Sequence, residues 1–439
     1  MKPRRFYGGV HPPEKKFSAE RAIEVLPVPG EMVVPLSMHI GAPAKPVVQG
    51  GDEVKVGQVL GEPGGFVSAY IHSPVSGTVR KIEPRDHPLG RPLPCVIIDN
   101  DGADETVDFT PLVRWEETAP EELLDAVFKA GIVGMGGATF PTHVKLKPPP
   151  NFHIDTVIAN GVECEPYLTA DHRMMLEHPA KILEGMRIVM RILGVKRGFL
   201  GIEMNKPDAI ELMTQKARTV DEIEVVPLQV RYPQGAEKQL IYACTGREVP
   251  SGGLPMAVGV VVQNVSTLAA IRDAVVKGKP LFERVVTVTG EAVTTPKNLL
   301  VRVGTPLRLL IEAAGGLNGD AAKIISGGPM MGLAQHVQNV PIIKGSSGVL
   351  CLPPELVDVS PPAPCIRCGA CVGVCPAGLL PTDLVRLVEN NKFDEADRLG
   401  VMDCIECGSC AFGCPSRIKL VQWIRLGKAE VMARKKKMS

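Results

Sequence analysis

Two stretches near the end of the chain, CIRCGACVGVCP (Cys365–Pro376) and CIECGSCAFGCP (Cys404–Pro415), carry the strongest chemical signal in the sequence. Both spell C-x2-C-x2-C-x3-C-P. Three thiolates at this spacing wrap one face of an iron–sulfur cubane, and the small residues between them (Gly369, Ala370, Gly408, Ser409) let backbone N–H groups approach the sulfurs. The fourth cysteine precedes a proline that turns the chain away, and in two-cluster ferredoxins it ligates the other cluster. The rule assigns Cys365, Cys368, Cys371 and Cys414 to one [4Fe–4S] cluster. Cys404, Cys407, Cys410 and Cys375 fall to the second. Zinc is the competing reading, because C-x2-C also opens zinc ribbons, but zinc calls for well-separated pairs rather than four cysteines in one short run. Between the runs, TDLVRLVENNKFDEADRLG has a helical pattern, which predicts a helical ferredoxin domain in place of the compact bacterial form. Two neighbouring cubanes imply passage of single electrons, so another part of the chain must supply a donor or an acceptor.

The bulk numbers fit an intracellular, multidomain protein. A chain of 439 residues is long enough for about three domains. Its 49 basic and 48 acidic residues leave a net charge of +1, which argues against a nucleic-acid binder. The N-terminal MKPRRFYGGVHPPEKKF has no apolar run behind its basic residues, so it does not read as a signal peptide. No apolar run reaches the length needed to cross a bilayer. Without a secretory signal the clustered cysteines read as metal ligands and not as disulfides. Cys95, Cys164, Cys244 and Cys351 are scattered and read as buried structural thiols. The basic Arg434–Lys437 reads as a solvated tail end, with weak attraction to an acidic membrane face as the alternative.

The elements that must position this chemistry follow from hydrophobic pattern and turn residues. After an N-terminal segment, 1–30, residues 31–117 alternate apolar and polar positions between glycine turns, as in GGDEVKVGQVLGE and IHSPVSGTVRKIE. These phrases resemble the biotinyl/lipoyl-type barrel-sandwich fold, but GGFVSAYIHSP lacks the carrier lysine, so a structural module is expected. Residues 118–279 alternate helices and strands, opening with TAPEELLDAVFKAG, where Thr118 reads as the N-cap and Gly131 as the stop. The alternation predicts a largely parallel, Rossmann-like sheet covered by helices, with ligands at the carboxyl ends of the strands. Residues 280–350 read as a hairpin and a helix of the β-grasp kind, the helix capped by Thr305, opened by Pro306 and closed by Gly315. ISGGPMMG (Ile325–Gly332) reads as a turn. A Pro-rich linker, 351–364, leads into the cysteine region, 365–439. The fold class is therefore multidomain α/β.

The stretch GIVGMGGATFPTHVK (Gly131–Lys145) fits neither the dinucleotide fingerprint nor the P-loop, and a helix precedes it where a fingerprint needs a strand. Glycines without side chains let backbone amides approach a phosphate or a flavin ring, and Lys145 offsets phosphate charge. This stretch resembles the flavin-binding loop of the NADH-oxidising subunit of respiratory complex I and its relatives. Gly134, Gly136, Gly137, Ala138, Phe140, Pro141, Thr142 and Lys145 match in order, with Met135 in place of an arginine and Thr139 in place of a glycine. Three more segments follow in the family's order: NGVECEP (Asn160–Pro166), GAEKQL (Gly235–Leu240) and QNVSTLA (Gln263–Ala269). With the barrel-sandwich module before them and the cysteines after, the whole chain resembles the RnfC family, peripheral components of the Rnf complex.

The resemblance implies FMN held by Gly134, Gly136, Gly137, Lys145, Asn160, Glu163, Gly235 and Asn264. It implies contact between the nicotinamide nucleotide and Phe140, Glu165 and Glu237. It further implies an SLBB-type β-grasp domain, NAD(H) as substrate, a peripheral place on the cytoplasmic face of the membrane, and partner subunits that move ions and meet ferredoxin. Each residue also has a plainer reading. Phe140 reads as core, Lys145 as a solvated lysine, Asn160 and Asn264 as left-handed turn residues, and the three glutamates as exposed loop acids. Asp171, His172 and Arg173 read as a helix N-terminal cluster and not as catalysts. No side-chain nucleophile is needed, since the cofactors carry the chemistry. Two other functions fit the same sequence: a cobalamin reductase of the propanediol-utilisation type, and a non-enzymatic electron-wiring module.

Overall fold

A computed structural model describes residues 4–438, apart from 219 and 221. At its centre lies a four-stranded parallel sheet in the order Ile223–Leu228, Gly198–Glu203, Thr156–Asn160, Val260–Asn264. The first three strands in sequence run outward in one direction. The fourth returns to the far side of the first, so the topological switch point lies between Thr156–Asn160 and Val260–Asn264. All six residues of Gly198–Glu203 are buried, as a parallel strand covered on both faces requires. Helices Pro179–Leu193 and Val265–Lys277 pack on one face through Ile182, Met186, Val189, Leu268 and Ile271. Helix Glu237–Thr245 covers the other face through Leu240 and Ile241. Gly185 lets the first two helices touch, because a methyl there would overlap the Leu268 carbonyl.

The barrel-sandwich unit has two sheets. Glu31–Pro35, Leu93–Asn100, Gly77–Arg85 and Glu53–Val54 form one; Lys45–Pro46, Val59–Glu62 and Ile71–His72 form the other. Met32, Val34, Leu60, Ile71, Val79 and Ile98 fill the space between them and are wholly buried. The β-grasp region is larger than its hairpin suggests. Its six-stranded sheet runs Ile23–Val25, Lys297–Arg302, Glu283–Thr289, Gly348–Leu352, Lys323–Ser326, Leu333–Gln335. The edge strand Ile23–Val25 comes from the N-terminal segment, which the sequence suggests is a separate piece. That segment is a strap: Arg4 bridges to Leu228, Val10 to Tyr232, and Ile23–Val25 to Asn298–Leu300.

Local signals at helix starts are displaced from their expected positions. The first helix is Pro120–Lys129 with Ala119 at its N-cap, while the Thr118 hydroxyl donates to the Arg114 carbonyl. Likewise Leu307–Ala313 begins after Pro306, and the Thr305 hydroxyl turns back to the Arg302 carbonyl. In both, a proline fixes the first turn, and the threonine satisfies the preceding turn instead. The helical pattern between the cysteine runs is two helices, Pro381–Glu389 and Phe393–Arg398, broken where Asn391 adopts a φ of 57°. The basic tail is the end of helix Leu420–Met438, with Arg434 and Lys435 paired to Asp394 and Asp397.

The Gly185–Leu268 contact makes a direct test of the helix packing. Gly185→Ala is expected to cost about 1–3 kcal/mol, the usual penalty of overpacking a filled interior. Thermal unfolding of the variant and the parent reads it out.

Candidate cofactor site and cysteine centres

The glycine loop lies at the switch point. Asn160 and Asn264 are register partners at the carboxyl ends of the two strands that flank it. A Cβ on Gly136 would stand 3.3 Å from that of Asn264, so only glycine allows the loop to lie this close without a shift. Asn264 also caps helix Val265–Lys277, its Oδ1 accepting from the Ser266 and Thr267 amides at 2.9 and 3.3 Å. Its φ is −69°, and Asn160 is not among the positive-φ residues, so neither is the left-handed turn residue that its type allows. Asn160 Nδ2 donates to the Gly235 carbonyl at 2.8 Å, bringing the Gly235–Leu240 segment to the same edge.

The loop itself is anchored from beneath and open above. Met135 N donates to Thr267 Oγ1 at 2.9 Å, and Gly134 N to the Phe140 carbonyl at 2.9 Å. The buried Arg284 guanidinium, from the β-grasp sheet, faces the Met135 carbonyl at 3.4 Å and the Lys344 carbonyl at 2.5 Å. Lys344 is buried as well and donates to the carbonyls of Tyr70 and Gly131, joining all three β-containing units where the loop begins. Burial pulls its ammonium down to about 7. Gly136, Gly137 and Ala138 remain exposed, and Gly137 takes a φ of 121°. Phe140 is half-buried at the loop base.

Lys145 Nζ lies 2.6 Å from Glu237 Oε1 and donates to the Val262 carbonyl at 3.0 Å. This cation therefore stands beside the switch point, anchored by one of the acids that the resemblance places at the nucleotide. The other two acids are not exposed loop residues. Glu163 turns both oxygens to the amides of Asp171 and His172, at the start of helix Ala170–Glu177. Glu165 accepts from the amides of Met330 and Met331 at 3.0 and 2.8 Å, so its carboxylate faces the 327–332 turn and away from the glycine loop. That turn is present, as its glycines suggest, but it also grips a buried acid. Asp171, read from sequence as a mere helix-start residue, belongs to the constellation: its carboxylate accepts from Asn264 Nδ2 and Ser266 Oγ, both at 2.6 Å. Its Asp type at a helix start gave no reason to separate it from ordinary capping.

Beneath this edge lies a set of enclosed charges that no motif announced. Lys16 donates to the carbonyls of Glu163, Glu165 and Leu168 at 2.7–2.9 Å, and burial lowers it to about 8. Lys206 donates to the Val162 carbonyl at 2.7 Å, and its neighbour Glu203 is pushed up to about 7 by burial. Gln234, wholly buried just before Gly235, has neither amide atom satisfied by the protein. A polar orphan beside an open glycine loop and a lysine suits a polar cofactor at this edge. A separate cleft of about 560 Å³, lined by Arg4, Arg197 and Arg247, opens at the amino-terminal edge of the sheet and shares none of these residues.

The cysteines form two unequal centres. Cys407, Cys410 and Cys375 are buried, at 7–8% exposure, and Cys404 is half-buried. Cys375 stands within electrostatic reach of all three of the others, so its thiol joins the second run and not its own. In the first run Cys365 and Cys368 are exposed and Cys371 is buried, while Cys414 is half-buried. Among the described residues no three His, Cys, Asp or Glu side chains converge on a single ion position. Thiols grouped around a volume without converging on a point suit a bulky cluster better than one zinc ion. Of the four scattered cysteines, Cys95, Cys244 and Cys351 are buried and Cys164 is half-buried, and burial raises each thiol.

Glu165 gives a pH test of this geometry. Burial raises its carboxyl to about 7, against the two backbone donors that favour the charged form. A carboxyl with a folded value above its unfolded one loses stability as pH rises between the two, here from about 4.5 to about 7. Glu165→Gln removes that loss, so the variant is expected to gain on the parent as pH goes from 5 to 8, by about 2 kcal/mol after allowance for partial exposure. Paired denaturation curves at the two pH values check it.

Four family descriptions match the chain in order. They are an RnfC barrel sandwich hybrid domain over residues 4–103, a Nuo51 FMN-binding domain over 127–273, an SLBB domain over 285–334, and a 4Fe-4S dicluster domain over 364–418. The chain is 51% identical to the RnfC-type component of a proton-translocating ferredoxin:NAD(+) oxidoreductase complex from Clostridium ljungdahlii, covering 97% of this chain and 93% of the relative. It is 47% identical to the corresponding component of a Na(+)-translocating ferredoxin:NAD(+) oxidoreductase complex from Acetobacterium woodii, over 98% of each. The corresponding component of an ion-translocating oxidoreductase complex from Rhodobacter capsulatus is 43% identical over 97% of this chain and 83% of the relative.

Proposed function

The chain belongs to the RnfC family of Rnf-type ion-translocating oxidoreductase complexes, and from that membership we propose that it exchanges hydride between NAD(H) and FMN and passes electrons singly through two [4Fe–4S] clusters. The observation that carries this reading is the placement of the glycine loop at the switch point, against Asn264 and with Lys145 beside it. When bound, FMN supplies the hydride acceptor and the clusters supply one-electron relay. The chain's own residues supply position and charge. Gly134, Gly136 and Gly137 present backbone without side chains, Asn160 and Gly235 close the adjacent edge, and Asn264 holds the helix start against the loop. Lys145 neutralises phosphate charge, with Glu237 fixing its direction. Phe140 and Glu237 line the approach of the nicotinamide nucleotide. Glu163 acts by holding the start of helix Ala170–Glu177, and with it Asp171, in place.

Glu165 is a weaker candidate for nucleotide contact than the resemblance implies, since both of its oxygens are taken by the 327–332 turn. Among the described residues no helix is long and apolar enough to cross a membrane. Membership of a membrane-associated complex then makes this a peripheral subunit, which we place on the cytoplasmic side, with ferredoxin reached through partner subunits. The corrinoid-reductase and wiring-module readings have no specific feature of the structure in their favour.

Purified protein with reconstituted iron and sulfide is expected to release FMN on denaturation and to turn over NADH with ferricyanide. Cluster absorbance with neither flavin nor turnover would leave only an electron-wiring role. Lys145→Ala is expected to lower flavin content several-fold while iron content stays unchanged; equal flavin content would remove Lys145 from the phosphate site. Cys375→Ala is expected to damage the cluster of Cys404, Cys407 and Cys410, and loss of the Cys365-side cluster instead would refute the crossed ligation.

A further inference from the structure

The two cysteine centres differ in what they touch. The Cys404-side centre is pressed against the parallel-sheet domain and the N-terminal strap. Tyr232, only 2% exposed, donates its hydroxyl to the Cys407 carbonyl at 2.7 Å. Gln239 Nε2 donates to the Pro376 carbonyl at 3.1 Å, one residue beyond Cys375. Gly9 N donates to the Val374 carbonyl at 2.9 Å, and Gly8 lies so close that a Cβ would stand 2.9 Å from the Cys375 carbonyl. Val10, Tyr232, Cys407, Cys164 and Met330 share one apolar cluster across the seam. On the far side of that seam, three residues of chain join Tyr232 to Gly235, whose carbonyl receives Asn160 Nδ2. The path from the flavin edge to the Cys407 backbone is thus one hydrogen bond, a short run of covalent chain and a second hydrogen bond. At the other centre, among the described residues, the hydrogen bonds of residues 365–371 stay within the cysteine region. Cys365 and Cys368 are exposed, and Ile366 between them is 68% exposed.

From this asymmetry we infer that the two centres work in series and in a fixed order. The site of Cys404, Cys407, Cys410 and Cys375 exchanges electrons with the flavin edge, and Tyr232 is the positioning residue that holds the two sides together. The site of Cys365, Cys368, Cys371 and Cys414 exchanges them with an external one-electron redox protein. This order rests on the flavin reading given above. The balance is simple: one NADH yields NAD+, a proton and two electrons, and these pass one at a time through the inner site, then the outer site, to two equivalents of the external carrier. Ordering by contact follows from the need to hold donor and acceptor at a fixed short separation, while the partner-facing site must stay open.

The test uses reconstituted holoprotein mixed anaerobically with NADH and frozen at increasing times for EPR. In a Cys365→Ser, Cys368→Ser variant the remaining cluster is expected to be reduced by NADH at the parent's rate. In a Cys404→Ser, Cys410→Ser variant NADH still bleaches the flavin and dithionite still reduces the remaining cluster, but NADH reduces it about tenfold more slowly or worse. The opposite pattern overturns the order. Tyr232→Phe is expected to keep iron content and dithionite reduction unchanged while slowing NADH reduction of the inner cluster; an unchanged rate removes Tyr232 from the path. A second measurement needs neither variants nor flavin. Parent holoprotein is partly stripped with an iron chelator, the freed thiols are alkylated, and the labels are located by mass spectrometry. Cys365, Cys368, Cys371 and Cys414 are expected to label first, and earlier labelling of Cys404, Cys407, Cys410 and Cys375 would sink the proposal. Failure of NADH to bleach any form would defeat the flavin reading alone, leaving the order to be decided by the labelling.

Discussion

The close approach of Gly136 to Asn264 is the constraint on which the site depends. A parallel sheet ends its strands with unpaired backbone groups, and at a switch point two neighbouring connections leave in opposite directions. Asn264 settles both problems with one side chain. Its carbonyl oxygen satisfies two amides of the following helix, and its amide nitrogen reaches Asp171 on another helix. That fixes where the edge lies, and the glycine loop can then be laid directly upon it. A side chain at position 136 would force the loop away, and Lys145, held by the Val262 carbonyl two residues before Asn264, would no longer share the same edge.

Charges enclosed below this edge follow a common rule: each is met by backbone. Lys16 and Lys344 direct their protons to carbonyls, Glu163 and Glu165 collect amides, and Arg284 faces two carbonyls from different domains. Buried ions that bond to backbone tie chain segments together without demanding an oppositely charged partner nearby. The cost shows in their titration: Lys344 is held near 7 and Glu165 near 7, each far from its solution value. Such contacts make the domain junctions depend on geometry more than on salt-screened attraction.

Much of this was legible in the sequence because the relevant signals are local. The cysteine spacing fixes which thiols can share a centre, and the grouping of Cys375 with the second run follows from a rule about one proline. The alternation of strands and helices from 156 to 277 stands where hydrophobic period places it. What escaped was non-local. Tyr232, Lys16, Lys344 and Arg284 act through partners far away in sequence, and no pattern around them distinguishes them from ordinary residues. Asp171 was visible but looked like a simple helix start. Glu165 matched a family position, yet its carboxylate is drawn off by a turn more than 160 residues later, at Met330. The displaced caps at Thr118 and Thr305 are a smaller version of the same lesson, since a hydroxyl takes whichever carbonyl the preceding turn offers.

The N-terminal strap has a consequence for how the chain is made. Residues 4 to 25 find their partners at Leu228, Tyr232, Val374 and Asn298, so none of these contacts can form while the first hundred residues leave the ribosome. The parallel sheet and the cysteine region must both be in place before the beginning of the chain can be threaded across them. Assembly of this protein therefore closes on its first-synthesised segment last, a long-range step of the kind that slows folding, and until then the inner cysteines wait with one wall missing.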